Sequence, residues 1–305
     1  MPRTSPGDLV ISDARLDRSL ARIRDDLRRD WYKFSRNKLS VVGLVTVIVI
    51  ILVAILAPFV APYPAHSGAY VDFQNANQPP SAGHLLGTDN VGRDILSRII
   101  FAFRSALLMG IVVLALVVPV GVVLGLVAGY FHGSWAETVI MRLTDIFLAV
   151  PPMILALAIG SVLTPNLTNA LVAISLMWWP WYTRLVYGMV SSLRNDFFVR
   201  SAELTGASAP HILFRELLPN CISPIFTKMT LDMGWVIMMG ASLSFVGLGE
   251  QPPAPALGNM VADGAKYIPD QWWMAVFPAI AIMVIVLGFN LLGDGVRDMF
   301  AVEEV

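Results

Sequence analysis

Residues 41–59 read VVGLVTVIVIILVAILAPF, a run of nineteen positions without a charged side chain. A helix of about 20 mostly apolar residues is what crosses the hydrocarbon core of a bilayer. Forty residues precede the run, and it is longer than the apolar region of about 7–15 residues that is typical of a signal peptide. The run therefore predicts a permanent membrane anchor rather than a cleaved signal.

Further apolar stretches follow along the chain. The longest, 146–183, exceeds the length of one span and is interrupted by Thr164, Pro165 and Asn166, so it predicts parts of two spans. The sequence as a whole predicts an all-α integral membrane protein with six spans, at 41–59, 105–136, roughly 138–163, roughly 168–190, 222–248 and 273–292.

Composition supports a membrane protein and excludes several other classes. Hydrophobic residues make up 56% of the chain and charged residues 14%, against about 45–50% and 25% in soluble domains. The net charge of −1 provides no basic field for nucleic acid. Cys221 is the one cysteine, and the four histidines show no ligand spacing, so we expect no metal site. The sequence has no phosphate-binding loop of the G-x-x-x-x-G-K-[ST] type, and we expect no catalytic site.

The distribution of Lys and Arg predicts the orientation. With the N-terminus in the cytoplasm, seventeen basic residues lie inside and four outside, so both termini are predicted to be cytoplasmic. The chain then divides into an N-terminal tail (1–40), the first transmembrane helix (41–60), an extracytoplasmic loop (61–104), a five-helix core (105–293) that contains a cytoplasmic loop (194–220), and a C-terminal tail (294–305).

The N-terminal tail has a helical pattern of its own. Leu16, Leu20, Ile23 and Leu27 recur at helical spacing among arginines. This pattern indicates either a basic amphipathic helix that contacts membrane lipid at the inner leaflet, or a solvated helix packed on the protein.

The extracytoplasmic loop carries a polar motif directly before the second span. Residues 86–94 read LGTDNVGRD, and apolar residues from Ile95 onward lead into that span. Thr88 or Asp89 is expected to cap the helix by accepting hydrogen bonds from its free N–H groups. The residues of interest in this motif are Gly87, Thr88, Asp89, Gly92, Arg93 and Asp94.

The cytoplasmic loop predicts two short helices. The first ends near Gly206, which can adopt the left-handed conformation that closes a helix, and the second runs from about Pro210 to Leu218. Two short helices with a glycine bend suit docking into a groove on another protein, although a plain connecting loop has the same pattern. The candidate docking residues are Phe198, Arg200, Ser201, Ala202, Glu203, Gly206, Ala207, Ser208, Leu218 and Pro219.

Ionisable residues inside predicted spans are functional candidates because a charge in hydrocarbon is costly. Arg142 and Asp145 are three positions apart, so they can share a helix face and partly neutralise each other. Lys228 and Asp232 are four apart and deeper in a span. Each pair either lines a pathway or forms a structural ion pair.

The fourth and fifth spans contain further distinctive side chains. Trp178 and Trp181 stand on either side of a central proline region, where they line a path or pack against neighbouring helices. The fifth span is rich in small residues, which close contact between helices requires: Gly234, Gly240, Ala241, Ser242, Ser244, Gly247 and Gly249.

Five passages, taken together, resemble one protein family. They are LGTDNVGRD at 86–94 with Leu96, Ser97 and Arg98; Met141 and Arg142 through Asp145 to Pro151; the loop 206–220; LSFVGLG at 243–249 through Pro253; and FNLLGDG at 289–295 with Arg297 and Asp298. The family consists of permease subunits of dipeptide, oligopeptide and nickel ABC importers, and the chain resembles the second, C-type member of the permease pair. The resemblance covers roughly residues 30–300.

The resemblance implies a type I permease fold of six membrane helices in a bacterial inner membrane. It also implies a heterodimer with a homologous permease, two ATP-binding subunits in the cytoplasm, and an external substrate-binding protein. ATP and magnesium would be bound by the ATP-binding subunits, with no cofactor on this chain. The loop 194–220 is similar to the family's "EAA" coupling loop, which fits a cleft on the ATPase. Its usual acidic position falls here on Arg200, and Glu203 comes three residues later.

The sequence therefore predicts a non-catalytic permease subunit for di- or oligopeptides or a related small solute, such as nickel or glutathione. The alternative is an ion-coupled secondary carrier that uses Arg142, Asp145, Lys228 or Asp232, although the chain has no clear internal repeat of the kind such carriers contain. An intramembrane enzyme has less support, because the sequence has no paired acids or metal-ligand set.

Overall fold

The computed structural model describes residues 28, 29 and 31–300. The predicted amphipathic pattern at 16–27 lies outside the described residues. The longer helices are α1 Lys38–Ile55, α2 Ile95–Tyr130, α3 Trp135–Ala149, α4 Pro152–Val162, α5 Leu167–Leu193, α6 Phe197–Leu204, α7 Leu218–Phe245, α8 Leu257–Ala265 and α9 Trp273–Phe300. Shorter helical segments are Ala57–Val60, Pro64–Ser67, Phe73–Asn75, Ala209–His211 and the π-helical Ile212–Leu217.

The packing of α2 against α5 is the most extensive helix pairing in the described chain. Gly121, Gly125 and Gly129 form a stripe on α2, and a Cβ on Gly125 would lie 2.7 Å from both the Thr183 carbonyl oxygen and the Val186 Cβ. The backbones of α2 and α5 therefore touch, as small residues allow in membrane helices. Helix α7 packs on α9 and α2, and α9 packs on α1.

Length and composition mark some of these helices as candidate membrane spans. Among the described residues, α1, α2 and α9 are long and apolar enough to cross a bilayer, and the bent pair α3 and α4 brings the number to four if it counts as one span. Helices α5 and α7 have 27 and 28 residues. Their composition is less apolar, because α5 contains Asn169 and Arg184 and α7 contains Lys228 and Asp232.

The span predicted over roughly 138–163 is not one continuous helix but the bent pair α3 and α4. The chain bends by 91° between α3 and α4. Val150 is extended, with φ −92° and ψ 130°, because a residue that precedes a proline is disfavoured in the helical region. Pro151 is also extended, and Pro152 then begins α4.

The second loop helix, predicted from about Pro210 to Leu218, is helical as predicted, but it is not a short helix that ends at Leu218. The segment Ala209–His211 continues through the π-helical turn Ile212–Leu217 directly into α7. The helix that contains the predicted fifth span, 222–248, therefore begins before residue 222. Pro219 lies in the first turn of α7 and has no N–H to donate. The chain passes this proline with a π-helical turn rather than by ending the helix.

Candidate functional site

Helix α6 ends as the sequence predicts. Gly206 has a φ of +81°, in the left-handed region. Its N–H donates to the Glu203 carbonyl at 3.0 Å, and the Ala207 N–H donates to the Ala202 carbonyl at 3.0 Å. These two bonds satisfy the last carbonyl groups of α6 and form a glycine-dependent C-cap. The left-handed conformation at Gly206 is confirmed.

Helix α6 presents large apolar side chains to the outside. Phe197 is 91% exposed and Leu204 is 89% exposed, whereas Val199 is buried. Exposed apolar side chains grouped in this way mark surfaces that contact other proteins or the membrane. Ala202 and Ala207 are partly buried against the core and hold the loop to it. Phe197 and Leu204 are outside the predicted docking set, whose exposed members are Phe198, Arg200, Ser201, Glu203, Gly206, Ser208 and Pro219.

The two charged side chains of α6 both have contacts within the chain. The Tyr130 hydroxyl, at the end of α2, donates to Oε1 of Glu203 at 3.0 Å. Arg200 donates from Nη2 to the Asn195 side-chain oxygen at 3.4 Å. Leu218, by contrast, is partly buried where it begins α7. The acid of α6 is therefore tied to a core helix, while Arg200 remains at the exposed surface.

The prediction that Thr88 or Asp89 caps the helix after the extracytoplasmic motif is wrong. Asp94, not Thr88 or Asp89, caps α2, because its carboxylate accepts from the Ser97 N–H at 2.8 Å and the Ser97 hydroxyl at 2.7 Å. Asp89 instead closes the preceding turn by accepting from the Arg93 N–H at 2.8 Å and the Arg93 Nε at 2.7 Å.

Thr88 and the motif glycines join the turn to the rest of the outer loop. The Thr88 hydroxyl donates to the Asn75 carbonyl at 2.6 Å and accepts from the Gln78 N–H at 2.8 Å. Gly87 and Gly92 both have positive φ values. A Cβ on Gly92 would lie only 1.9 Å from the Asp72 carbonyl oxygen, so glycine is required there.

His66 and His84 connect the cap to the loop that precedes it. The Asp94 N–H donates to Nδ1 of His66 at 2.8 Å, and Nδ1 of His84 lies 2.9 Å from the Asp94 carboxylate. Burial lowers the pKa of His66 even though the nearby Asp94 acts to raise it. The neutral form that accepts from Asp94 is thus the form that the fold favours.

Asp232, Lys228 and Trp178 form one buried polar cluster between α7 and α5. Lys228 Nζ lies 3.0 Å from Oδ2 and 3.1 Å from Oδ1 of Asp232. The Trp178 indole donates to Oδ2 at 3.0 Å. Lys228 Nζ also lies 5.8 Å from the Trp181 ring centroid and 5.2 Å from that of Tyr182, within reach of a cation–π interaction. The predicted pair is therefore formed, and both carboxylate oxygens are engaged.

The second predicted pair, Arg142 with Asp145, is not formed. Asp145 pairs with Arg184 of α5, while Arg142 is exposed on α3. Helix α3 is short and ends at Ala149, so Asp145 lies near its end, where it faces α5. An ion pair between helices replaces the predicted pair within one helix.

Sequence reasoning missed two groups of residues. The glycines at 121, 125 and 129 repeat every four positions, and this spacing could have indicated close helix packing. No local spacing indicates the contacts of Tyr130 and Arg184, because their partners, Glu203 and Asp145, are distant in sequence. Among the described residues, no group of three or more His, Cys, Asp or Glu is placed to hold a metal ion.

Comparison with known families gives two matches along the chain. Residues 121–301 match the family described as binding-protein-dependent transport system inner membrane component. Residues 27–80 match the N-terminal transmembrane domain of oligopeptide transport permease C.

Individual relatives are similar over most of their length. A dipeptide transport system permease protein of Alkalihalophilus pseudofirmus is 41% identical over 89% of this chain and 88% of its own. A probable D,D-dipeptide transport system permease protein of Escherichia coli is 39% identical over 86% and 88%. A solved structure of the MetNI methionine ABC transporter, in an inward facing conformation, has a TM-score of 0.54 at 17% identity and covers 67% of this chain and 96% of the matched chain. This last likeness concerns the fold.

Proposed function

The chain belongs to the family of binding-protein-dependent transport system inner membrane components, and from this premise we propose that it is the C-type permease of an ATP-driven importer of short peptides. The match of residues 27–80 to oligopeptide transport permease C supports the C-type assignment. The partner would be a homologous permease, and the transport path would lie between the two subunits.

The substrate class rests on what the relatives are named for. Those relatives are permeases of dipeptide, D,D-dipeptide and glutathione transport systems, and all of these solutes are short peptides or peptide-like molecules. We therefore propose di- or oligopeptides in preference to nickel. An external binding protein would deliver the substrate and contribute most of the selection.

The exposed surface of α6 is the observation that supports a role in coupling the ATP-binding subunits to the membrane helices. Phe197 and Leu204 are exposed, Gly206 ends the helix in a fixed geometry, and Ala202 and Ala207 hold it to the core. Such a helix can enter a groove on an ATP-binding subunit and transmit its movement. ATP and magnesium would be bound by two such subunits, so we expect no cofactor and no catalysis on this chain.

We propose a topology of six membrane spans with both termini in the cytoplasm. Helices α5 and α7, of 27 and 28 residues, are long enough to cross a bilayer at about 1.5 Å per residue. Single cysteines at Ala69 and Ser208, both exposed, test the orientation, because the native Cys221 is buried and should react little. An impermeant thiol reagent added to intact cells should label the variant Ala69→Cys and leave Ser208→Cys unlabelled. The reverse pattern would overturn the orientation.

Reconstitution tests the function. The chain, a homologous permease, the ATP-binding subunits and the binding protein are assembled in proteoliposomes, and uptake of a radiolabelled dipeptide is measured with and without ATP. We expect uptake that requires ATP, the binding protein and every subunit. Uptake by this chain alone, driven by an ion gradient, would instead establish the secondary-carrier alternative.

A further inference from the structure

A basic cavity of about 710 Å³ lies at the end of α1 that the Lys and Arg distribution places in the cytoplasm. Among the described residues, its lining includes the cationic side chains of Arg29, Lys33, Arg36 and Lys38 and the carboxylate of Asp298 of α9. The cavity is therefore formed between the segment that enters the first span and the end of the last span.

The wall of the cavity is held in place by Asn37. Its side-chain oxygen accepts from the Leu39 N–H at 3.1 Å and caps α1. Its amide nitrogen donates to Oδ2 of Asp298 at 3.4 Å. Asp298, the acid among the described lining residues, thus contacts the structural cap, and the side chains of Arg36 and Lys38 are exposed to an anionic ligand.

An exposed apolar stripe on α1 begins directly beside the cavity. The stripe consists of Leu39, Val42, Val45, Val49 and Leu52, and each of these side chains is at least half exposed. Their spacing of three or four positions places them along one side of the helix. Tyr32 lines the cavity, and Trp31 precedes it in the chain; both are exposed. Tyr and Trp are enriched at membrane–water interfaces. A ligand in the cavity therefore has an apolar surface beside it that runs into the bilayer.

We propose that this cavity binds the phosphate group of an anionic phospholipid whose acyl chains lie along the α1 stripe. Basic side chains beside a membrane span attract anionic lipid, and pockets between such helices bind lipid headgroups. A soluble phosphate compound would use the same cations but would gain nothing from the stripe. The proposal depends on the chain being an inner membrane protein and not on which solute it transports.

The test uses the assembled complex, stripped of lipid in detergent and then supplied with phosphatidylglycerol or phosphatidylcholine. Native mass spectrometry measures the lipid that remains bound. We expect phosphatidylglycerol to be retained in preference to phosphatidylcholine. In the variant Arg36→Gln/Lys38→Gln its affinity should fall by about 25-fold, because each basic residue near a phosphate contributes roughly five-fold and the two contributions multiply.

The matched control is Arg104→Gln/Lys266→Gln, which removes two exposed positive charges outside the cavity and outside the docking loop and should keep wild-type retention. If the double cavity variant does not assemble, Arg36→Gln and Lys38→Gln are measured singly, each with an expected loss of about five-fold. Equal loss in cavity and control variants, or equal retention of both lipids, would overturn the proposal. Full displacement of the lipid by millimolar inorganic phosphate would show a soluble-anion site instead.

Discussion

The hydroxyl group of Tyr130 donates a 3.0 Å hydrogen bond to the carboxylate of Glu203. Tyr130 is the last residue of α2, and Glu203 lies on α6, so one side-chain contact joins the proposed docking helix to a helix of the membrane core. Glu203 lies three residues after the position where the "EAA" loop usually has its acid. The contact gives this displaced acid a role inside the chain, as a link through which movement of α6 can reach α2.

Loss of this link should weaken coupling without unfolding the protein. The variant Tyr130→Phe removes the hydroxyl and keeps the ring. A hydrogen bond to an exposed carboxylate contributes about 0.5–1 kcal/mol, so we expect the stimulation of ATP hydrolysis by loaded binding protein to fall about two- to five-fold. Tyr70→Phe, the same change in the outer loop, is the control and should leave stimulation unchanged. Normal stimulation in Tyr130→Phe would remove this contact from the coupling route.

Substitution of Gly206 should abolish transport while the chain still folds. A Cβ at Gly206 meets no atom within 4 Å, so Gly206→Asp adds only backbone strain of about 1–2 kcal/mol inside the chain. A charge on the docking surface, however, would be desolvated in the complex, which costs several kcal/mol if it is unpaired. We expect normal membrane insertion, with uptake and binding-protein-stimulated ATP hydrolysis lost.

Gly247 provides a matched control for this experiment. Its φ is +87°, and a Cβ there also meets no atom within 4 Å, but it follows the opposite end of α7. Gly247→Asp should therefore carry a similar strain and leave the ATPase stimulation in place. Equal loss in both variants would indicate a strain effect rather than a docking surface.

Much of the fold was predictable because its signals are local. The charge-free run at 41–59 predicts α1, and the glycine after a short amphipathic pattern predicts the end of α6 at Gly206. The bend at Val150 was missed although the two prolines that follow it carry the signal. The π-helical turn before Pro219 could not be predicted, because sequence alone does not say whether a chain ends or distorts a helix at a proline.

The contact between α2 and α5 should tolerate no large side chain. Gly125→Leu would force apart backbones that already touch, and over-packing of this kind costs at least about 1–3 kcal/mol. We expect a clearly lower unfolding temperature of the complex, or no assembly. Gly188→Leu, on an open face of α5 with no atom within 4 Å of its Cβ, should assemble normally. Equal damage from the two variants would contradict the close packing.

The candidate site was harder to predict than the fold, because its partners are far apart in sequence. Asp94, Thr88 and Asp89 are all of residue types found at helix caps, and Asp94, which forms the cap, also contacts His66 and His84 from the preceding loop. Asp145 pairs with Arg184, 39 positions away, rather than with its helical neighbour. Such choices depend on tertiary packing, which local spacing does not encode.

The outer loop should loosen in mild acid. His66 accepts a hydrogen bond from Asp94 N–H in its neutral form, and burial lowers its pKa below the ordinary value of 6.5. Its contribution to stability is therefore present above about pH 6.5 and is lost as the pH falls through the lowered value. Hydrogen exchange of residues 72–94, corrected for intrinsic rates, should accelerate in acid. The variant His66→Gln should lose this acceleration and His132→Gln should retain it; an unchanged profile in His66→Gln would exclude His66 as the cause.

The Lys228–Asp232 pair provides a test that separates structure from transport. Asp232 is 4% exposed, so Lys228→Met leaves a buried carboxylate without its cation, although the hydrogen bond from Trp178 remains, at a cost of about 3 kcal/mol. The double variant Lys228→Met/Asp232→Asn removes both charges and keeps an acceptor for Trp178, so it should unfold at a higher temperature than the single variant. A structural pair predicts that this rescue also restores peptide uptake. If the double variant assembles normally and transports nothing, the pair acts on the transport path; if it is no more stable than Lys228→Met, the buried charge is not the source of the damage.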